Sequence, residues 1–127
     1  MKKNDHGRKR ILIVEDSEEM LDIYRMIFKN EAGYEIELEK DAETALRKVK
    51  IKSYDLIILD IIMTPMLGDS FFVYVKDDKR TSEIPVLIVS VLDPEGMGRL
   101  KSVGRTDFLR KPVTREQLLG KVREMLS

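Results

Sequence analysis

Short, uninterrupted runs of apolar residues recur along the chain and predict the strands of a parallel sheet. Three runs are continuous rather than alternating and are rich in β-branched side chains: residues 11–14, 56–59 and 86–89. Runs of this kind are typical of strands that helices cover on both faces. Residues 34–39 and 107–110 predict two further strands with fewer apolar positions.

Between these runs, apolar residues recur at the spacing of one helix face. The pattern predicts helices over about 17–30 and 41–50, and Asp41 is placed to cap the second. Near the end of the chain, Thr114 and Gln117 have the spacing of a capping box, which predicts the start of a C-terminal helix.

Two segments fit this alternation less simply. Residues 71–75 have strand-like propensity, yet they stand where alternation of strands and helices requires a helix. Gly96 and Gly98 disfavour a helix interior, so we expect the fourth helix to begin late, around 97–99, and to be the least stable.

The order of these elements is strand, helix, strand, helix, repeated five times. This alternation predicts an α/β fold: a single doubly wound five-stranded parallel sheet with right-handed crossovers and the flavodoxin-like strand order 2-1-3-4-5. The 127 residues fit one domain. We assign residues 1–9 to a basic N-terminal tail and residues 10–127 to the folded domain.

Acidic residues follow the two strands at which such a sheet opens its ligand crevice. Glu15 and Asp16 end strand 1, and Asp60 ends strand 3. Clustered carboxylates raise one another's pKa unless a cation joins them. The chain has no Cys, and its one His, His6, lies in the tail, so the ligands are oxygen atoms and favour Mg²⁺.

Strands 4 and 5 bring further polar groups to the same edge. Strand 4 ends at the hydroxyl of Ser90, and strand 5 ends at the ammonium of Lys111, which Pro112 follows. Acids, a hydroxyl and an amine at one edge suit the binding of a phosphoryl group beside a metal ion.

In this order, the residues resemble the signature of response-regulator receiver domains, over about residues 10–126. The matching features are the acidic pair Glu15 and Asp16, the phosphoacceptor Asp60, the switch hydroxyl Ser90 and the lysine-proline pair Lys111–Pro112. Each motif alone is common, but all of them together, in order on the correct strands, are specific.

The resemblance implies a role for each residue. Asp16, the Asp60 carboxylate and the backbone carbonyl of Ile62 would bind Mg²⁺ directly, and Glu15 would act mostly through water. Asp60 would take a phosphoryl group from the phosphohistidine of a sensor histidine kinase or a phosphotransfer protein, while Lys111 offsets charge on the phosphoryl oxygens. Such a domain is not an enzyme: it promotes only its own phosphotransfer and slow dephosphorylation.

The resemblance also implies a switch. Ser90 would move to hydrogen-bond the phosphate, and Phe108 would turn inward behind it. This would repack the face formed by helix 4, strand 5 and helix 5, about 97–126, toward a downstream protein or effector domain. The Lys111–Pro112 peptide bond is expected to be cis.

Three positions that tune the chemistry in this family depart from its usual residues. Val91 follows the switch Ser where most receivers carry Ala or Gly, and we expect it to slow phosphorylation by small donors. Ile62 and Leu92 are apolar where a polar side chain would orient an attacking water, which predicts a long-lived acyl phosphate.

The alternative function is a pseudo-receiver, a protein-interaction module that keeps the fold without phosphorylation. Intact Glu15, Asp16, Asp60 and Lys111 argue against it. A haloacid-dehalogenase-type phosphatase requires a second acid two residues after the nucleophile, where this chain has Ile62. A flavodoxin requires a phosphate-cradling loop after strand 1, and the acids at 15–19 would repel phosphate.

Bulk composition excludes some partners. Lys and Arg (23) balance Asp and Glu (23), which predicts neither a nucleic-acid nor a membrane partner for this domain. No apolar stretch approaches the roughly 20 residues of a membrane span, and no secretion signal is visible. We therefore expect a cytoplasmic protein.

Overall fold

The computed structural model, which describes residues 7–61, 68–91 and 103–127, contains a five-stranded parallel sheet flanked by helices on both faces. The strands lie in the order β2-β1-β3-β4-β5, as the sequence predicts. The elements are β1 (Lys9–Val14), α1 (Glu18–Phe28), β2 (Tyr34–Glu39), α2 (Ala42–Ile51), β3 (Leu56–Leu59), α3 (Gly68–Asp77), β4 (Val86–Ser90), β5 (Thr106–Arg110) and a C-terminal helix (Arg115–Leu126).

The central strands are buried on both faces, which explains why their sequences are continuously apolar. Every residue of β3 and β4 is buried, and the register pairs Ile13 of β1 with Ile58 of β3. Successive side chains point to opposite faces, so these strands feed two separate cores. One core lies under α2 and α3, and the other lies under α1 and the C-terminal helix.

Side-chain caps fix where the helices begin. Ser17 accepts a hydrogen bond from the backbone N–H of Met20 and starts α1, and Asp41 accepts two backbone bonds at the start of α2. Thr114 and Gln117 form the complete capping box that their spacing predicts. These caps satisfy backbone donors that have no partner inside the helix.

Helix α3 shows tertiary context overriding local propensity. Its strand-like residues form a helix that buries Phe71, Phe72 and Val75 and leaves Val73 and Tyr74 exposed. The buried set falls at i, i+1 and i+4, which is one helix face, so packing against the sheet decides the conformation. The fourth helix predicted from around 97–99 falls outside the described residues.

Candidate functional site

The acids predicted to meet at the carboxyl edge of the sheet are held there by extensions of the strand ladders. The backbone N–H of Glu15 donates to the Glu39 carbonyl at 2.9 Å, and that of Asp60 donates to the Val14 carbonyl at 3.1 Å. Both residues are therefore fixed by hydrogen bonds just beyond the last residues of β1 and β3. Their side chains project from a rigid edge rather than from a loop.

Three carboxylates come together at this edge. Glu15, Asp16 and Asp60 each offer one oxygen atom, and these atoms lie within 4.8 Å of one another. Glu15 is 1% exposed and Asp60 is 7% exposed, whereas Asp16 lies at the surface. The cluster is thus buried at its base and open to solvent on one side, and we call it the acidic crevice.

Lys111 joins two of these carboxylates. Its Nζ lies 2.9 Å from Glu15 Oε1 and 3.0 Å from Asp60 Oδ2. Its backbone N–H donates to the Ser90 carbonyl at 2.8 Å, which fixes the lysine at the end of β5, and its peptide bond with Pro112 is cis as predicted. The spatial convergence on which the sequence argument depends is therefore present.

The charges in the crevice do not balance. Burial raises the pKa of Glu15, and the hydrogen bond from Lys111 offsets this only in part. Burial also disfavours the Lys111 ammonium, but its bonds to Glu15 and Asp60 outweigh burial and raise its pKa. Three carboxylates share one ammonium among the described residues of the crevice. The donor set, all oxygen and in anionic excess, fits a hard divalent cation.

The predicted switch residues occupy the neighbouring strands. Ser90 is fully buried at the end of β4. Phe108 in β5 is half-buried and packs against the core under α2 and α3, paired in register with Ile88. Val91, directly after Ser90, is 58% exposed. The predicted ligand and tuning residue Ile62 and the tuning residue Leu92 lie outside the described residues.

Two interactions around β1 and α1 were not anticipated from the sequence. The ammonium of Lys40, directly after β2, forms an ion pair with Glu18 at the start of α1. Tyr24 is buried in α1, and its pKa is raised by burial and by the charges of Glu15 and Asp60. A polar ring in the apolar stripe of α1 was the available signal for Tyr24, whereas the pairing of Lys40 has no sequence signal.

Comparison with known proteins defines the class to which this fold and site belong. The family model for the response regulator receiver domain matches residues 11–123, so the chain belongs to the response-regulator receiver family. Its members are signalling domains of two-component systems rather than conventional enzymes. In the described part of the chain, no helix combines the length and the apolar content that a membrane span needs.

Individual relatives agree with this assignment. Response regulator PleD of Caulobacter vibrioides is 34% identical over 118 residues, which cover 91% of this chain and 26% of PleD. The chain therefore spans about a quarter of that relative's length. The chemotaxis response regulator CheY4 of Vibrio cholerae is 31% identical, with a TM-score of 0.84 over 94% of this chain and 99% of that one.

A third similar structure was determined with a metal ion. It is the receiver domain of sensor histidine kinase PA1611 from Pseudomonas aeruginosa PAO1, with a magnesium ion coordinated in its active-site cleft. That domain is 22% identical to this chain and superposes with a TM-score of 0.83, covering 94% of this chain and 98% of that one. At this identity, the likeness shows a shared fold.

Proposed function

We propose that this chain accepts a phosphoryl group on Asp60 from a sensor histidine kinase or a phosphotransfer protein. The observation that carries the proposal is the Lys111 ammonium, which lies 2.9 Å from Glu15 and 3.0 Å from Asp60 beside the Asp16 carboxylate. A cation held between two acids of an anionic cluster can transfer one of its hydrogen bonds to an incoming phosphoryl oxygen.

The acidic crevice would hold Mg²⁺ through Asp16, Asp60 and the backbone carbonyl of Ile62, with Glu15 acting mostly through water. The anionic excess of the crevice and the solvent access of Asp16 support this assignment. When bound, the ion would neutralise charge on the phosphoryl oxygens and on Asp60. Lys111 would offset the rest of the negative charge on the phosphoryl oxygens.

In the proposed reaction, a carboxylate oxygen of Asp60 attacks the phosphorus atom of a phosphohistidine. The new O–P bond forms as the P–N bond breaks, and the bonding electrons return to the imidazole nitrogen. Asp60 becomes an acyl phosphate, and Lys111 donates to a phosphoryl oxygen. Because Glu15 also accepts from Lys111 at 2.9 Å, Lys111 remains anchored at the site while it makes this exchange.

The signal would leave through Ser90 and Phe108. Ser90 ends the strand next to β3, and Phe108 lies three residues before Lys111 on β5. Phosphorylation would draw the Ser90 hydroxyl toward the phosphate and allow Phe108 to turn inward. This would repack the face of helix 4, strand 5 and the C-terminal helix toward an effector domain or a downstream protein.

Phosphorylation of the purified protein by acetyl phosphate or phosphoramidate with Mg²⁺ tests the proposal. Asp60→Asn should abolish the mass increase of one phosphoryl group. Asp55→Asn is the matched control, because Asp55 flanks the other end of β3, where its carboxylate accepts from the Arg10 N–H at 2.8 Å. Labelling that persists in Asp60→Asn, or is absent from the wild type, would leave the pseudo-receiver as the better description.

The lifetime of the product tests the tuning positions. Ile62 and Leu92 offer no polar group to orient a hydrolytic water, so the acyl phosphate should persist for minutes or longer. A half-life of seconds, measured by intact-protein mass spectrometry after donor removal, would contradict this assignment.

A further inference from the structure

A groove lies on the surface between α2 and α3 and contains none of the residues assigned to phosphorylation. Its main cavity, of about 530 Å³, is lined by Leu46, Val49 and Lys50 of α2, by Tyr74 and Asp77 of α3, and by residues 78–81 of the turn after α3. A second cavity of about 360 Å³ continues along α3 past Val73 and Ser70. We call this surface the α2–α3 groove.

The groove exposes large apolar side chains that the core does not use. Tyr74 is 55% exposed and Val73 is 52% exposed, while Phe71, Phe72 and Val75 of the same helix already fill the core under α3. Exposed aromatic side chains beside a cavity are typical anchor points of protein interfaces, because they bury much area at little entropic cost. The groove therefore has the chemistry of a binding surface.

The charge around the groove is positive once internal pairs are removed. Asp78 is occupied by Arg80, whose Nη2 and Nε lie 2.8 and 3.3 Å from its two carboxylate oxygens. Lys50 and Lys79 have no carboxylate within 4 Å in the described ranges, and Arg47, one helical turn before Lys50, hydrogen-bonds the Thr44 hydroxyl.

Among the described residues of the lining, Asp77 is the acid left without an ion pair. Lys50 and Lys79 thus stand against one anion beside the apolar side chains of the lining. The acidic crevice has the opposite sign, so a negatively charged segment would be repelled from the crevice and attracted to the groove.

We propose that the α2–α3 groove binds an acidic amphipathic helical segment of a partner protein. An apolar side chain of the segment enters the cavity beside Tyr74, and its carboxylates reach Lys50 and Lys79. A partner helix that lies in the groove would bury its apolar face between α2 and α3. Its polar side chains would then face the polar side chains at the edges of the groove, and an elongated groove favours this arrangement. Binding at this site does not depend on phosphorylation of Asp60.

A titration of the ¹⁵N-labelled protein tests the proposal. The probes are synthetic amphipathic peptides with Glu on the polar face and Leu, Phe or Met on the apolar face, together with a charge-reversed set that carries Lys. At least one acidic peptide should shift the amide signals of residues 46–50 and 73–81. Raising the ionic strength should weaken its binding.

Variants separate the charge contribution from the apolar one. Lys50→Glu with Lys79→Glu should weaken binding of the acidic peptide by roughly tenfold or more and should favour the Lys peptides. The matched control is Lys29→Glu with Arg123→Glu. It makes the same change in net charge at two exposed positions, one directly after α1 and one in the C-terminal helix, and should have little effect. Tyr74→Ala should weaken binding without changing charge.

Three outcomes would overturn the proposal: no acidic peptide binds at millimolar concentration, the shifted signals map to α1 or the crevice, or the Lys peptides bind equally well. Concentration-dependent shifts of the same groove signals without peptide would instead make a second copy of this chain the occupant. Tyr74→Ala should still be phosphorylated at the wild-type rate by acetyl phosphate, so the result is independent of the function proposed for Asp60.

Discussion

Two clusters of carboxylates and cations on this domain contain similar groups and behave in opposite ways. The acidic crevice holds three carboxylates and one ammonium. The second cluster, which we call the glutamate stripe, consists of three glutamates on one face of the edge strand β2 and the four bases that contact them: Glu35, Glu37 and Glu39 with Arg8, Arg10, Lys48 and Lys52.

The pKa values of Glu37 in the stripe and Glu15 in the crevice shift in opposite directions, because cations outnumber carboxylates in the stripe and carboxylates outnumber cations in the crevice. Glu37 is partly buried, which disfavours its charge, but the hydrogen bond from the Tyr54 hydroxyl at 2.8 Å and the nearby Lys52 and Lys48 lower its pKa overall. Burial outweighs the single lysine at Glu15 and raises its pKa. Carboxylates near cations therefore stabilise a fold only where the charges are matched, and an unmatched cluster remains ready to bind a cation or a phosphoryl group.

The largest expected effect is on the rate of phosphorylation, which should depend on the lysine of the acidic crevice and not on a lysine of the glutamate stripe. Lys111→Met should lower the rate of phosphorylation by acetyl phosphate on the order of a hundredfold, because it removes a cation placed where phosphoryl charge develops. Lys48→Met makes the same substitution in the glutamate stripe, where Lys48 lies 2.8 Å from Glu39, and should leave that rate unchanged. Equal losses in both variants would show that the rate reports general stability rather than crevice chemistry.

Most of the crevice could be predicted from the sequence because chain order and strand periodicity determine it. The runs before Glu15 and Asp60 end at those residues, and parallel strands place their carboxyl ends at one edge. The C-terminal capping box and the helical conformation of residues 71–75 were predicted in the same way, from local spacing and from alternation.

The counter-ions of the glutamate stripe could not be predicted. Glu37 contacts Arg10 of β1, Lys48 of α2 and Lys52 after α2, three residues that are distant in sequence and carry no motif. Such pairs depend on the register between β1 and β2 and on the position of α2 over the sheet. The ion pair between Lys40 and Glu18 could not be predicted from the sequence for the same reason.

Removing a single carboxylate charge should lower the stability of the domain at the glutamate stripe but not at the acidic crevice. Glu37→Gln should lower the free energy of unfolding by about 1–2 kcal/mol, since it weakens the bonds to Tyr54 and Lys52 and leaves Arg10 with one partner fewer. Glu15→Gln should not lower it, because the substitution relieves the anionic excess of the crevice. Urea unfolding followed by circular dichroism without Mg²⁺ measures both, and a loss in Glu15→Gln as large as that in Glu37→Gln would contradict the contrast.

Mg²⁺ should stabilise the folded domain by binding at the acidic crevice and not at the glutamate stripe. At a free Mg²⁺ concentration ten times its Kd, the free energy of unfolding should rise by about 1.4 kcal/mol through mass action. The gain should disappear in Asp16→Asn and persist in Glu37→Gln, whose glutamate belongs to the charge-balanced stripe. Thermal unfolding with and without EDTA provides the measurement; a gain that survives in Asp16→Asn would place the ion elsewhere.

The pH dependence of stability should report the glutamate stripe. Because the folded-state pKa of Glu37 is lowered from its ordinary value of 4.5, its ionised form stabilises the fold above that value. This contribution is lost as the pH falls through the lowered pKa of the folded state. The stability difference between wild type and Glu37→Gln should therefore be full near pH 7 and shrink below pH 4.5; a difference that is constant down to the acid transition would exclude a charge effect.

The smallest expected effect concerns access to the crevice. Val91 follows the buried Ser90 and is itself 58% exposed, so its isopropyl group lies at the surface directly beside the end of β4. If this group restricts approach to Asp60, Val91→Ala should raise the rate of phosphorylation by acetyl phosphate a few-fold and leave the stability of the domain nearly unchanged. Val91→Thr preserves the branched shape while adding a hydroxyl, so it should keep the wild-type rate. A Thr variant as fast as the Ala variant would show that polarity, not bulk, controls the rate, and an Ala variant no faster than wild type would show that Val91 does not limit access.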